Sequence, residues 1–193
     1  MRKPVLALVA LSSFAALAAP AADLKIGAPA PDFTLPSARD GAPLALKDLS
    51  KGKAVVVMFI ATKCPVSNAY NDRMGAIARE YSSKGIQFLG INSNKSEPAE
   101  EVATHARDHQ LNFPIAKDPG NKIADAYGAT RTPEVYVLSP KGDLLYHGRI
   151  DESQDDPKNV TSPDLRNALD AILAGKSVAK PETKAFGCSI KRV

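Results

Sequence analysis

Residues 55–68 read VVVMFIATKCPVSN, and the fold turns on how this stretch divides. From Ala54 to Ala61 the chain is an unbroken apolar run rich in β-branched residues. Such a run is too short for a buried helix and predicts a central strand covered on both faces. From Val66 the period changes. Val66, Tyr70, Met74, Ile77 and Tyr81 recur at three- and four-residue spacing and give a helix one apolar stripe. Lys84-Gly85 ends that helix, and IQFLGIN (Ile86 to Asn92) predicts a second buried strand. Strand, helix and strand with short links imply a right-handed crossover between parallel neighbours. Cys64, one of two cysteines in the 193-residue chain, lies at the joint between the first strand and its helix.

Working outward, IGAPAPDFTL leads into a short alternating strand, and Asp40-Gly41 before PLALKDL predicts an N-terminal β-hairpin. SEPAEEVATHARDHQ reads as a helix opened near Ser96 and Pro98, NFPIAKD as a short extended piece, and Asn121 to Tyr127 as a short helix stopped by Gly128. EVYVLS and DLLYHGRI flank the turn residues Pro140-Lys141-Gly142-Asp143, a second hairpin. Ser162 as cap and Pro163 as first residue open a last helix, with Leu165, Leu169, Ile172 and Leu173 facing inward and Gly175 as its stop. The stretch 151–161 is polar and reads as a loop.

At the start, Arg2 and Lys3 precede the apolar run VLALVALSSFAALAA and the small residues of ALAAPAA, the layout of a cleavable secretory signal peptide. The run falls short of the ~20 apolar residues of a spanning helix. Residues 1–22 are therefore assigned to the leader, 23–175 to one domain and 176–193 to a tail, with a periplasmic or secreted location and no membrane attachment after cleavage. Losing Arg2 and Lys3 leaves 23 of the 25 basic residues against 21 acidic ones. That balance, with no basic block, does not suggest nucleic acid. In an exported protein two cysteines form either a lasting bridge or a working redox pair, and counting alone does not choose.

The position of Cys64 is chemically informative. Ligands of open α/β sheets bind at the carboxyl ends of the strands. A helix start presents unpaired amides and a positive dipole end, which favour an anion. A thiolate placed there has its pKa lowered from about 8.5 toward roughly 3.5–7.5, and the thiolate is the nucleophile. Lys63 adds positive charge only if it turns toward the sulfur; a solvent-facing side chain is the plainer reading.

The ordered fragments APDFTL, VVVMFIATKCPVS and TRTPEVYVLSPKGDLLYHGRID resemble the thioredoxin superfamily, specifically its alkyl hydroperoxide reductase/thiol-specific antioxidant redoxins, over Ile26 to Ile150. The resemblance implies a thioredoxin-like α/β fold, a central mixed sheet flanked by helices with the hairpin as an N-terminal extension. It implies Cys64 as the attacking cysteine and Pro133 as a cis-proline facing it. The backbone of Thr132 then turns toward the sulfur, where an extended peptide would pair. It also implies an oxidoreductase with antioxidant relatives, acting on a protein disulfide or dithiol, or on peroxide.

The departures carry weight too. Ser67 stands where the thioredoxin turn has its second cysteine, either donating a hydrogen bond to the thiolate or simply occupying the first helical turn. Val57 and Ala61 replace the proline and threonine that precede a peroxidatic cysteine, and Arg131 is the nearest substitute for the peroxiredoxin arginine. Cys188, in AFGCSIKRV, is the one candidate resolving thiol within the chain. From Gly175 the tail spans about 40 Å at roughly 3.3–3.6 Å per residue, enough to reach Cys64, and a short flexible tether supplies an effective concentration of order millimolar. A permanent staple and pairing with another molecule are the other readings of Cys188. Function is thus read as exported thiol–disulfide exchange. A thiol peroxidase is the enzymatic alternative, and copper(I) binding through Cys64, Cys188 and a histidine the non-enzymatic one. No organic cofactor is implied, since neither a glycine-rich nucleotide loop nor a haem attachment pair is present. His105 and His109 share a helix face without further ligands and read as a solvated pair. His147 reads as exposed or packed, and Glu134 as a carboxylate beside the sulfur or a solvent-facing start of a strand.

Overall fold

The computed structural model describes residues 24–193; the leader assigned to residues 1–22 lies outside them. An N-terminal hairpin, β1 (Thr34–Pro36) and β2 (Pro43–Ala45), is followed by one helical turn, α1 (Leu46–Leu49). Then come β3 (Ala54–Phe59), α2 (Pro65–Ala69), α3 (Asn71–Ser82), β4 (Ile86–Asn92) and α4 (Ala99–Asp108). After β5 (Ile115–Lys117) and α5 (Lys122–Tyr127) the chain runs through β6 (Arg131–Thr132), β7 (Glu134–Leu138) and β8 (Leu144–Gly148) to α6 (Asp164–Leu173). A last short strand, β9 (Cys188–Ser189), lies in the tail.

The main sheet has strand order β5-β4-β3-β7-β8. β3 pairs in parallel with β4, and β4 with β5, while β7 and β8 complete it antiparallel. Every residue of β3 is buried, because its side chains alternate between two apolar layers. Val56 and Met58 join Tyr70, Met74, Ile77, Tyr81, Leu165 and Leu169 under α3 and α6. Val55, Val57 and Phe59 join Leu35, Leu46, Tyr127, Tyr136 and Leu138 under the hairpin and α5. A central strand covered on both faces is thus the reason for the continuous apolar run. Both expected hairpins form, and α5 stops as expected at Gly128, whose φ of 70° is the left-handed C-cap conformation.

Three local expectations are corrected. The single helix expected from Val66 is two, because the backbone at Tyr70 (φ −97°, ψ −3°) departs from regular helix between α2 and α3. The apolar stripe nevertheless continues through the break, since Tyr70 is buried and its hydroxyl is held by Asp151 at 3.0 Å. Ser162 does not cap α6. Its amide is taken by Glu152, its hydroxyl donates to Asp164 at 2.8 Å, and Pro163 holds the cap position without a side-chain bond. The polar loop contains one 3-10 turn, Pro157–Asn159.

The tail also departs from expectation. It is a seated strap rather than a flexible tether. The amide of His147 donates to the carbonyl of Pro181, and the amide of Thr183 donates back to His147, both at 2.9 Å. Phe186 packs on the α3 side, 6.3 Å from the Tyr70 ring, and Ile190 is buried in the opposite layer. Between those two anchors β9 pairs antiparallel with β6, placing Cys188 opposite Thr132.

Candidate active site

Cys64 is the N-cap of α2, with extended backbone (φ −89°, ψ 115°) and Pro65 following at the first helical position. Its sulfur accepts the Ser67 amide at 3.3 Å, taking one of the free donors of the helix start. The Ser67 hydroxyl is turned elsewhere, accepting from the amide of Ala61 at 3.1 Å. Of the two roles read for Ser67, the side chain therefore fills the helix-turn role, while its backbone faces the sulfur. Cys64 is 3% exposed, and Cys188 is partly exposed.

The two cysteines form a disulfide with Cα atoms 5.9 Å apart, and among the described residues neither is free. The Thr132–Pro133 bond is cis, as the resemblance implies, and the Thr132 carbonyl oxygen lies 3.4 Å from the Cys64 sulfur. The edge on which an incoming peptide was expected to pair is filled by β9 of the chain's own tail. The approach is close. At Gly187 the backbone has φ 135°, and a Cβ would overlap the Thr132 carbonyl, so only glycine fits.

Two buried carboxylates, each 3% exposed, hold the backbone on either side of the sulfurs. Glu97 accepts the amides of Thr62 at 2.9 Å and Lys63 at 3.0 Å, fixing the loop that delivers Cys64. Burial pushes its carboxyl up, but the amides of Thr62 and Lys63 and the Asn92 side chain outweigh this and leave it below the ordinary value. Glu134 accepts the amides of Thr130 at 2.8 Å and Arg131 at 2.9 Å, fixing β6, and its other oxygen meets His147 at 2.8 Å. Burial again pushes up, and His147 with those two amides holds the carboxyl low. The solvent-facing reading of Glu134 is thereby overturned. His147 is packed, its ring stacked on Tyr136 with centroids 4.3 Å apart.

The remaining candidates sort by distance. Lys63 points away from the sulfur, its ammonium 2.9 Å from Glu101 and 3.0 Å from the carbonyl of Ser96. Arg131 is exposed and donates to the tail at Gly187 and Ser189. The peroxidase alternative therefore has no arginine aimed at Cys64 from that position. His105 is half-buried against Asn71, a correction to the solvated pair, and burial with the charge of His109 lowers its pKa. Among the described residues no three histidine, cysteine or carboxylate side chains are grouped to hold a metal, so the copper reading finds no histidine to join the sulfurs.

Glu97 was missed in the sequence. Preceding an amphipathic helix in SEPAEE, it reads as one more surface acid. The backbone amides it accepts lie more than thirty residues away, which no local pattern signals.

A cysteine at a strand-to-helix joint of a five-stranded mixed sheet, closed onto a second cysteine, defines an oxidoreductase of the thioredoxin-like fold. The chain belongs to the AhpC/TSA family, whose model matches residues 26–147. It is similar to the thiol-disulfide oxidoreductase ResA of Bacillus cereus, 29% identical over 122 residues, or 63% of this chain and 68% of that one. Among solved structures it resembles an uncharacterized conserved protein from Geobacillus kaustophilus. That match has 32% identity and a TM-score of 0.83 over 88% of this chain and 93% of that one. A thiol:disulfide interchange protein DsbE of Chlorobium tepidum shares the fold, at 24% identity and TM-score 0.63 over 78% of this chain and 99% of that one.

Proposed function

We propose that the chain is an exported thiol–disulfide oxidoreductase whose working couple is Cys64–Cys188. The observation that carries this is the Cys64 sulfur, capped by the Ser67 amide and bonded to a cysteine paired opposite Thr132. A hydrogen bond from an amide favours the ionised sulfur, as a leaving group or as a nucleophile. Glu97 and Glu134 hold the two loops that face each other across the bond, so the sulfurs are positioned from both sides. Thr132, Pro133 and Ser67 frame the pair. The partners are proteins carrying a dithiol or disulfide, in keeping with the named activity of the ResA relatives. Export rests on the leader pattern of residues 1–22, and the domain limits of 23–175 and 176–193 follow from the same reading. In this reading the partners include no nucleic acid and, once the leader is cleaved, no membrane.

The test is an insulin-reduction assay driven by a dithiol, with peptide mapping of the oxidised protein under non-reducing conditions. Cys64→Ser is expected to lower turnover at least a hundredfold, and the mapped disulfide to join Cys64 and Cys188. Wild-type turnover in the Cys64→Ser variant would overturn the assignment.

A further inference from the structure

We infer that an external thiol exchanges with Cys188 rather than with Cys64, which serves as the leaving sulfur when the bridge opens and as the internal nucleophile when it closes. This reverses the order that the resemblance implies, and it rests on reading Cys64–Cys188 as the working couple. Exchange requires the incoming thiolate to approach one sulfur along the axis of the bond it breaks. Cys64 is 3% exposed, and its sulfur lies between the Ser67 amide at 3.3 Å and the Thr132 carbonyl oxygen at 3.4 Å. An anion approaching there meets a carbonyl oxygen and the closely seated backbone of Gly187. Cys188 is the partly exposed member, on a strand at the surface.

The leaving-group side agrees. If the incoming sulfur attacks Cys188, the electron pair of the broken bond departs on Cys64, where the Ser67 amide receives it. Attack at Cys64 would instead expel Cys188, to whose sulfur no group among the described residues donates, in contrast to the Ser67 amide at Cys64. A better-stabilised thiolate leaves faster. With a dithiol reductant the steps balance. One thiolate of the reductant attacks Cys188, a mixed disulfide forms, and Cys64 leaves as thiolate. The second thiolate then attacks the reductant's own sulfur, closing the reductant into a disulfide and releasing Cys188. Two electrons pass to the protein, and the reductant's protons pass to Cys188 and solvent. In reverse, Cys188 attacks a disulfide and Cys64 closes onto Cys188 to expel the partner.

The seating of the tail makes this order persist in the reduced protein. Apart from the sulfur bridge, the tail is held by the amide of Ile190 on Thr130 at 3.1 Å and by the amide of Lys191 on Asn94 at 2.7 Å. The amide of Val193 on Asn121 at 3.0 Å and the Arg192–Asp125 ion pair at 2.8 Å complete the latch. Breaking the bridge removes none of these, so Cys64 stays covered.

The experiment compares reduced Cys64→Ser and Cys188→Ser proteins, each with one thiol, for their rate of mixed-disulfide formation with oxidised glutathione, followed by mass spectrometry. Both variants lose the bridge alike, so each controls for the other. Cys64→Ser is expected to react through Cys188 at least tenfold faster than Cys188→Ser reacts through Cys64, and the difference to vanish in guanidinium chloride. Equal rates in the folded state, or a faster Cys64, would overturn the order. Wild-type turnover measured alongside separates the two readings: turnover with the wrong order sinks only this inference, and absent turnover sinks the couple itself.

Discussion

Ser67 shows how a residue can matter to the fold and to the site through different atoms. Its hydroxyl accepts the buried Ala61 amide, and its own amide meets the sulfur. Ser67→Ala removes only the first bond and leaves a buried donor unsatisfied, which costs about 1–3 kcal/mol. A lower denaturant midpoint with unchanged exchange rate is the expected result; a lost exchange rate at full stability would assign the hydroxyl to the chemistry instead. Glu134 makes its contribution through charge. Its folded pKa lies below the ordinary glutamate value of 4.5, so the ionised form is favoured by folding. The resulting stability is fully present above the unfolded value and is lost as pH falls through the folded one. Acid unfolding followed by circular dichroism should thus show stability falling steeply below about pH 4.5, in the ordinary carboxylate range. Glu134→Gln should flatten that fall and cost about 1–3 kcal/mol at neutral pH. A variant with the wild-type acid profile would detach Glu134 from it.

At the scale of elements, β9 and β6 are too short to hold each other alone, and their pairing depends on the backbones meeting at Gly187 and Thr132. Gly187→Ala puts a methyl group into the Thr132 carbonyl and forces a φ that alanine rarely adopts. The tail should then seat poorly, and closure of the Cys64–Cys188 bridge from the reduced protein should slow at least tenfold, as read by acid-quenched alkylation. An unchanged closure rate would show that the pairing does not position Cys188. The long elements were legible because their patterns are local: β4 runs from Ile86 to Asn92 as its apolar run predicts, and β3 occupies most of its own. The break at Tyr70 was not, since no proline or glycine marks it and its hydroxyl partner lies 81 residues away. The tail was equally opaque. KPETKAFGCSIKRV is polar and without period, and its order comes from partners on Thr130, Asn94 and Asn121 that only the folded chain assembles. Cys64 could be placed from sequence because a strand-to-helix joint is a local signal, whereas Glu97 is held by the amides of Thr62 and Lys63 and Glu134 by the ring of His147, partners that only the folded chain brings to them.

On the scale of the whole molecule, the Cys64–Cys188 bond closes a loop across 124 positions of sequence, from the first central strand to the tail. Cross-linking so long a loop restricts the unfolded chain by about 4–5 kcal/mol in the chain-entropy account. Most of the domain, from α2 to α6, lies between the two ends, so opening the bridge should loosen the unfolded state much more than the folded one. Reduced protein is expected to melt roughly 8–20 °C lower, at about 2–4 °C per kcal/mol for a domain of this size. The folded tail should scarcely notice. Its amides at Ile190, Lys191 and Val193 donate to Thr130, Asn94 and Asn121, none of which involves sulfur. Hydrogen exchange on the reduced protein should therefore find these three amides protected while the melting temperature has dropped. Exchange at free-chain rates would mean that the bridge alone seats the tail, and Cys64 would then be uncovered each time the couple is reduced.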